Sequence, residues 1–153
     1  MQDSYFEEKY IRDAYGDEYL LSLSGDDSLF SAKLYQRNWI GKATATLELP
    51  DEMVLVNIII FDNPPGLWGR LKDQITPKPT YRGRGLGTIL LKSVIAYARK
   101  EGIKRIHGSV VKSSMIHNPG IIQWYQKNRF DVVEATSQEI PGAIARICLD
   151  LDL

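Results

Sequence analysis

Arg82-Gly83-Arg84-Gly85-Leu86-Gly87-Thr88 lies between a run of aliphatic residues and a helical pattern, and its reading decides the fold. Three of the chain's twelve glycines fall within five residues here. Glycine accepts positive φ and lets a ligand approach backbone amides closely. Amides at a helix start attract a phosphate through hydrogen bonds and the helix dipole. Arg82 and Arg84 add forked donors suited to phosphate oxygens. The stretch therefore reads as an anion cradle that opens a helix. It lacks the Gly-Lys-Ser/Thr ending of the nucleotide P-loop, because Ile89 follows Gly87-Thr88. Glycines at 83, 85 and 87 do not fit the dinucleotide fingerprint Gly-x-Gly-x-x-Gly. An RNA-binding Arg-Gly tract is excluded by the periodic helix that begins at once. The remaining alternative is a strand-to-helix turn that holds no ligand.

Downstream, Leu86, Leu90, Leu91, Val94, Ile95 and Ala98 share one face of a helix over Leu86–Lys100. Gly102 stops it, with Arg99 and Lys100 in the last turn where the dipole favours cations. Residues 103–111 read as a strand reached by a crossover helix, hence parallel to residues 53–61. Asn118-Pro119 opens a second helix, Asn as N-cap and Pro at the first helical position. That helix carries Ile121, Ile122, Trp124 and Tyr125 and ends near Arg129. Strands follow at 130–135 and 145–153, separated by a Pro141-Gly142 turn.

Upstream, residues 53–61 are nearly continuously apolar, the mark of a central strand covered on both faces, with Asn57 its one polar residue. Residues 62–80 carry four of the seven prolines and read as a long irregular insertion. They form either a lid over a ligand site or a surface excursion whose Trp68 packs on the sheet. Residues 39–49 alternate apolar and polar, as a half-buried strand does, and Leu29–Gln36 precedes them as another strand. Residues 1–19 are polar and aromatic, and either a short helix with a loop or an edge strand fits them. The expected order is β-β-β-α-β-α-β-β: an α/β fold, one domain over 1–153, with a mixed sheet flanked by helices.

Composition agrees with a globular protein of one domain, at 153 residues, 44% hydrophobic and 25% charged. Lys+Arg and Asp+Glu number 19 each, which argues against a protein built to grip nucleic acid. A single cysteine, Cys148, excludes an internal disulfide, suits a reducing compartment and reads as a packing residue. No basic-then-apolar leader follows Met1, and the longest apolar runs are too short to span a bilayer. A soluble, cytoplasmic protein without a membrane partner is expected. Two histidines and one cysteine do not make a metal site.

With these elements in place, the sequence resembles the GCN5-related N-acetyltransferase (GNAT) family. The family signature Arg/Gln-x-x-Gly-x-Gly/Ala is met by Arg82, Gly85 and Gly87. Its tyrosine-bearing second helix, followed by a Gly-Phe pair, is matched by the spacing of Asn118, Tyr125 and Phe130. The resemblance covers residues 29–135. Three departures stand out. Arg129 replaces the usual glycine before Phe130, so this helix end should need a different cap. Too few residues precede the first firm strand for the family's two early helices. Residues 62–80 intervene between the central strand and the cradle, so the acceptor pocket should be built differently.

The resemblance implies direct attack of a primary amine on the thioester of acetyl-CoA. Acetyl-CoA and an amine acceptor are then the partners, and a homodimer is admitted. By the same resemblance Arg82, Gly83, Arg84, Gly85, Leu86, Gly87 and Thr88 hold the pyrophosphate, and Asn118 is a further cofactor contact. Ile59 and Ile60 flank the pantetheine arm, where strand 53–61 parts from 103–111. Gly108 there is either a site of close packing or a plain kink. Tyr125 is either the acid for the leaving thiolate or an amphipathic core tyrosine. The base is open between His117, Asp62 acting through water, and a water chain. Asn57 stands near where some members have a carboxylate and cannot do that work, and His107 reads as a packed or edge residue. A non-catalytic acyl-CoA sensor of the same fold is the alternative function.

Overall fold

A computed structural model describes residues 4–60, 84–135 and 142–151, with the backbone alone at Leu49 and His117. The early alternation resolves as strand: β1 (Tyr5–Arg12) and β2 (Glu18–Gly25) form a hairpin. β3 (Leu29–Gln36), β4 (Asn38–Leu49) and β5 (Glu52–Ile60) follow. After the described residues resume come α1 (Leu86–Lys100), β6 (Arg105–Val111), α2 (Lys112–His117), α3 (Ile121–Lys127), β7 (Asp131–Glu134) and β8 (Ala143–Asp150). The strands make one mixed sheet in the order β1-β2-β3-β4-β5-β6-β8-β7. β5 and β6 run parallel, as expected for strands joined through a helix. Among the described residues, no helix is long and apolar enough to cross a membrane.

Two compact units can be told apart, residues 1–45 with 57–96, and residues 46–56 with 97–153. In the first, period-two burial builds the core: Tyr19, Leu21 and Leu23 of β2, Phe30, Ala32 and Leu34 of β3. The apolar stripe of α1 adds Leu86, Leu90, Leu91 and Val94, all buried. Gly41 of β4 permits a close approach, since a Cβ there would stand 2.9 Å from the Ile59 carbonyl oxygen.

In the second unit, Ile106 and Val110 of β6 and Ala143, Ala145 and Ile147 of β8 are the buried alternates. β6 and β8 pair antiparallel from Arg105↔Asp150 to Val111↔Ala143, with a bulge between Val110 and Val111. The parallel register of β5 on β6 runs from Glu52↔Arg105 to Leu55↔Gly108. Gly108 is a site of close packing, because a Cβ would meet the Leu55 carbonyl oxygen at 2.9 Å. Gly102, at φ 74, ends α1. Its N–H bonds the Arg99 carbonyl and the Ile103 N–H bonds the Ala98 carbonyl, the two bonds of a Schellman cap.

Several expectations need correction. The sheet gains two strands from the N-terminal hairpin, since the polar-aromatic alternation of residues 5–12 is that of an exposed edge strand. A short helix, α2, precedes the second long turn and has no sequence signal, with no side-chain cap and no acidic residue in its first turn. α3 begins at Ile121 rather than at Asn118, because the Asn118 carbonyl and side chain are spent on a turn that comes first. β5 is not covered on both faces: Val56 is 54% and Ile59 37% exposed, in the part of β5 beyond its last pair with β6. Cys148 is half-buried, outside the core.

Candidate functional site

The cradle begins where a hairpin turn ends. Asp13 heads the turn between β1 and β2, and its side chain is fully buried. Its Oδ1 accepts from the N–H groups of Tyr15 (2.9 Å) and Asp17 (3.0 Å), which fixes the turn. Its Oδ2 accepts from the Tyr19 hydroxyl (2.7 Å) and from Arg84 Nη1 (3.1 Å). Burial would raise the Asp13 carboxyl, but the bonds from Tyr19, Arg84, Asp17 and Tyr15 outweigh it and hold the pKa at about 2. Burial, then the bond to Asp13, raise the Tyr19 phenol.

Arg84 is thereby the hub of this turn. Its Nη1 also reaches Asp17 Oδ2 at 2.7 Å, and its guanidinium lies 5.0 Å from the centre of the Tyr15 ring. Its carbonyl accepts from the Ala14 N–H at 3.2 Å. Its bonds to Asp13 and then Asp17 raise its pKa, so it is charged throughout the working range. Gly85 follows at φ 80, and among the described residues nothing stands within 4 Å of where a Cβ would be. The Ile89 N–H then bonds the Gly85 carbonyl and closes the first turn of α1. The Leu86 and Gly87 amides precede that bond and belong to the open helix start. A positive end, a glycine without steric cost and open space are what a phosphate needs.

The second unit holds the candidates Asn118 and Tyr125. The Asn118 Oδ1 accepts from the Gly120 N–H, and the Asn118 carbonyl accepts from the Ile121 N–H. Tyr125 of α3 is 7% exposed, with ring centroids at 4.9 Å to Trp124 and 5.4 Å to Phe130. Burial pushes its phenol up to about 12. At the end of α3, Arg129 sits at φ 71. Its N–H bonds the Gln126 carbonyl, and the Phe130 N–H bonds the Tyr125 carbonyl. This is the same Schellman cap that Gly102 makes, so the expectation of a different cap is corrected: the geometry is kept and Arg129 bears the strain.

Of the residues singled out by sequence, Arg84, Gly85, Leu86, Gly87 and Thr88 fall together at the start of α1. Arg82, Gly83, Asp62 and the whole 62–80 segment, with Trp68, lie outside the described residues. Ile59 is exposed and Ile60 half-buried at the end of β5. Asn57 Oδ1 is buried and meets no donor among the described residues. His117 closes α2, next to Asn118. His107 is neither edge nor packed: it is half-exposed on β6, with Nε2 at 2.9 Å from Glu48 Oε2. One ligand atom each from Glu48, Glu52 and His107 lie within 4.8 Å of one another. The His107–Glu48 contact and the Arg105–Glu52 ion pair at 3.8 Å occupy the members of this group. Sequence patterns missed Asp13, Asp17, Tyr15 and Tyr19; the turn run Asp13-Ala14-Tyr15-Gly16-Asp17, with Gly16 at φ 90, was the available signal.

Comparison with known proteins bears on this geometry. The chain is similar in structure to the PaiA N-acetyltransferase of Thermoplasma acidophilum in complex with coenzyme A, at TM-score 0.56 and 14% identity. That match covers 80% of this chain and 61% of the other. A GNAT family acetyltransferase of Elizabethkingia anophelis with acetyl-CoA bound matches at TM-score 0.57 and 17% identity, covering 81% of this chain and 77% of that one. The GNAT domain of S. lividans PAT matches at TM-score 0.65 and 12% identity over 94% and 97% of the two chains. At these identities the likeness is one of fold. No curated protein matches the sequence. A model of the acetyltransferase (GNAT) family, in contrast, matches residues 4–130, the hairpin, the glycine turn and Tyr125 included. The chain belongs to that acetyltransferase family.

Proposed function

We propose that the protein moves an acetyl group from acetyl-CoA to a primary amine by direct attack, as one acetyltransferase domain over residues 1–153. The observation that carries this reading is the turn at Gly85. It is left-handed, meets no described residue where a Cβ would stand, and opens a helix of 15 residues. Amides so placed suit the pyrophosphate of coenzyme A, since no side chain intervenes. The coenzyme A and acetyl-CoA held by two of the neighbours support the same ligand. In this reading residues 82–88 take the pyrophosphate, Ile59 and Ile60 the pantetheine arm, and Asn118 a further cofactor contact.

The amine nitrogen bonds the thioester carbonyl carbon, and the carbon–sulfur bond breaks. A lysine-like amine has a pKa near ~10.4, so a proton must leave before attack. His117 is the candidate base, with Asp62 through water or a water chain as the alternatives. Tyr125 stays protonated at neutral pH and donates its O–H to the departing sulfur. An ordinary thiol titrates near ~8.5, so complete transfer from a phenol at about 12 runs uphill. The hydroxyl therefore steadies the charge on sulfur, and the proton given up by the amine completes the thiol.

The amide at Asn57, where a carboxylate would help, favours the second reading of a sensor that binds acyl-CoA without transfer. Offering acetyl-CoA with a panel of amines and measuring free thiol separates the two. Thiol release above background with one class of amine is expected. A melting-temperature rise with acetyl-CoA but no release with any amine would leave the sensor, and no binding at all would end both readings.

A homodimer and a cytoplasmic setting belong to the same proposal. β1 is an edge strand with Phe6 and Tyr10 exposed. Antiparallel pairing of two copies about Glu8 sets Phe6 against Tyr10 and Glu7 against Lys9. Sedimentation showing a monomer at micromolar concentration would remove the dimer.

A further inference from the structure

Asp13 uses its two oxygens for different work. Oδ1 takes two backbone amides and makes the hairpin turn, while Oδ2 accepts from Tyr19 and Arg84. Arg84 is separated from Asp13 by 71 residues and from Asp17 by 67, so these bonds do not follow from local chain geometry. Its side chain is 19% exposed, held by two carboxylates and the Tyr15 ring, and its carbonyl is tied to Ala14. Both ends of the residue before Gly85 are thus fixed to the turn between β1 and β2. A glycine at φ 80 is permissive and does not by itself hold the amides that follow in one direction. What holds them must come from outside the turn.

We propose that Asp13 is a positioning residue for the phosphate cradle, acting through Arg84 to keep the Gly85 turn in its ligand-ready shape. This rests on the coenzyme A reading of the cradle. The hairpin turn 13–17 and the glycine turn then behave as one piece, and coenzyme A meets a preorganised anion site. The clamp also reassigns part of Arg84's charge: Nη1 serves the protein's own carboxylates. The low pKa of Asp13 fits this role, since the carboxylate is ionised at every pH where the enzyme works.

The variant that tests this is Asp13→Asn. With its oxygen at the Oδ1 position it keeps the turn, but it presents an N–H₂ where Tyr19 and Arg84 both donate. Coenzyme A affinity is measured by calorimetry for wild type and variant, with KM for acetyl-CoA and kcat. Loss of a charge-assisted bond predicts affinity weaker by about tenfold, and KM raised more than kcat is lowered. A double-mutant cycle with Arg84→Gln adds a readout that a merely structural role does not move. If Asp13 acts through Arg84, Asp13→Asn has little further effect on affinity once Arg84 is Gln. Should Asp13→Asn fail to fold, Asp17→Ala removes the 2.7 Å contact from an exposed position, and a rise in KM of the same sense is expected. Wild-type affinity retained in the folded variant, or effects that simply add in the cycle, would overturn the positioning role. A wild-type protein that does not bind coenzyme A would instead overturn the cradle reading on which the proposal rests.

Discussion

The turn at 84–85 and the helix end at 128–130 each put one residue in the left-handed region, Gly85 at φ 80 and Arg129 at φ 71. They reach it by opposite means. Around Arg129 the geometry is imposed locally, by two backbone bonds closing the end of α3, and a residue with a Cβ bears the strain. Around Gly85 there is no Cβ to strain, and order comes from Asp13, Asp17, Tyr15 and Ala14 in a distant hairpin. The first arrangement spends its hydrogen bonds on itself. The second keeps open space and helix-start amides beside a clamped turn. On the coenzyme A reading proposed above, that difference separates a structural cap from a ligand site.

The largest effect expected is on chemistry at α3. Tyr125→Phe should lower kcat by about 100-fold, the size expected for loss of one donor to developing charge. Coenzyme A affinity and stability should hardly change, because the ring still packs between Trp124 and Phe130. With the phenol at about 12, Tyr125 is protonated below that value and active there, so it gives the wild type no alkaline fall in rate below about pH 11. An unchanged kcat, where acyl transfer limits turnover, would return Tyr125 to the core and leave 118–130 without a chemical role.

Next in size is a matched pair of glycines. Gly85 and Gly102 both have positive φ, at 80 and 74, and at both a Cβ would meet nothing among the described residues. Alanine at either position should cost about 1 kcal/mol of stability for the left-handed backbone. Only Gly85→Ala should also weaken coenzyme A, by roughly 30-fold, as the methyl group enters the cradle and the turn relaxes. Equal coenzyme A affinity in the two variants would make Gly85 a cap like Gly102 and dissolve the contrast.

What was legible in the sequence follows the same division. Leu86–Lys100 and Leu29–Gln36 were readable because their burial repeats with the period of their own backbone. The glycine spacing at 83–87 was readable for the same reason: the chemistry lies within a few residues. Asp13 was not readable, since its partner Arg84 is 71 residues away and no periodicity links them. Residues 53–61 misled, because a continuous apolar run looks alike whether both faces are covered or Val56 and Ile59 stand open. At Arg129 residue identity misled, because backbone bonds enforced a conformation that the side chain disfavours. The lid expected over 62–80 concerns residues outside those described.

The Asp13 clamp carries its own pH signature, smaller than the effects above. A depressed carboxyl gives stability that is present above its ordinary value near ~3.9 and is lost as pH falls toward about 2. The stability gap between wild type and Asp13→Asn should be flat from pH 5 to 8 and narrow between about 4 and 2. Urea midpoints across that range measure it. A gap that already closes at pH 5 to 6 would mean that another group governs the clamp.

The smallest effect sharpens the comparison from the other side. Arg129→Gly removes the Cβ that the left-handed backbone penalises, worth about 1–2 kcal/mol. Glycine also gives the unfolded chain more freedom, which takes back about 0.4–1 kcal/mol. Arg129 is exposed, so little packing is lost with its side chain. The net expectation is a gain of about 0.5–1 kcal/mol, seen as a melting temperature higher by about 1–4 °C. Coenzyme A affinity and kcat should stay at wild-type values, because the Phe130–Tyr125 and Arg129–Gln126 backbone bonds remain. Gly102→Ala is the mirror experiment, the same cap changed in the opposite direction with a loss of about 1 kcal/mol. If Arg129→Gly instead lowered stability, the arginine side chain would have to contribute more than its backbone strain costs, and the end of α3 would no longer be a cap held by its backbone alone.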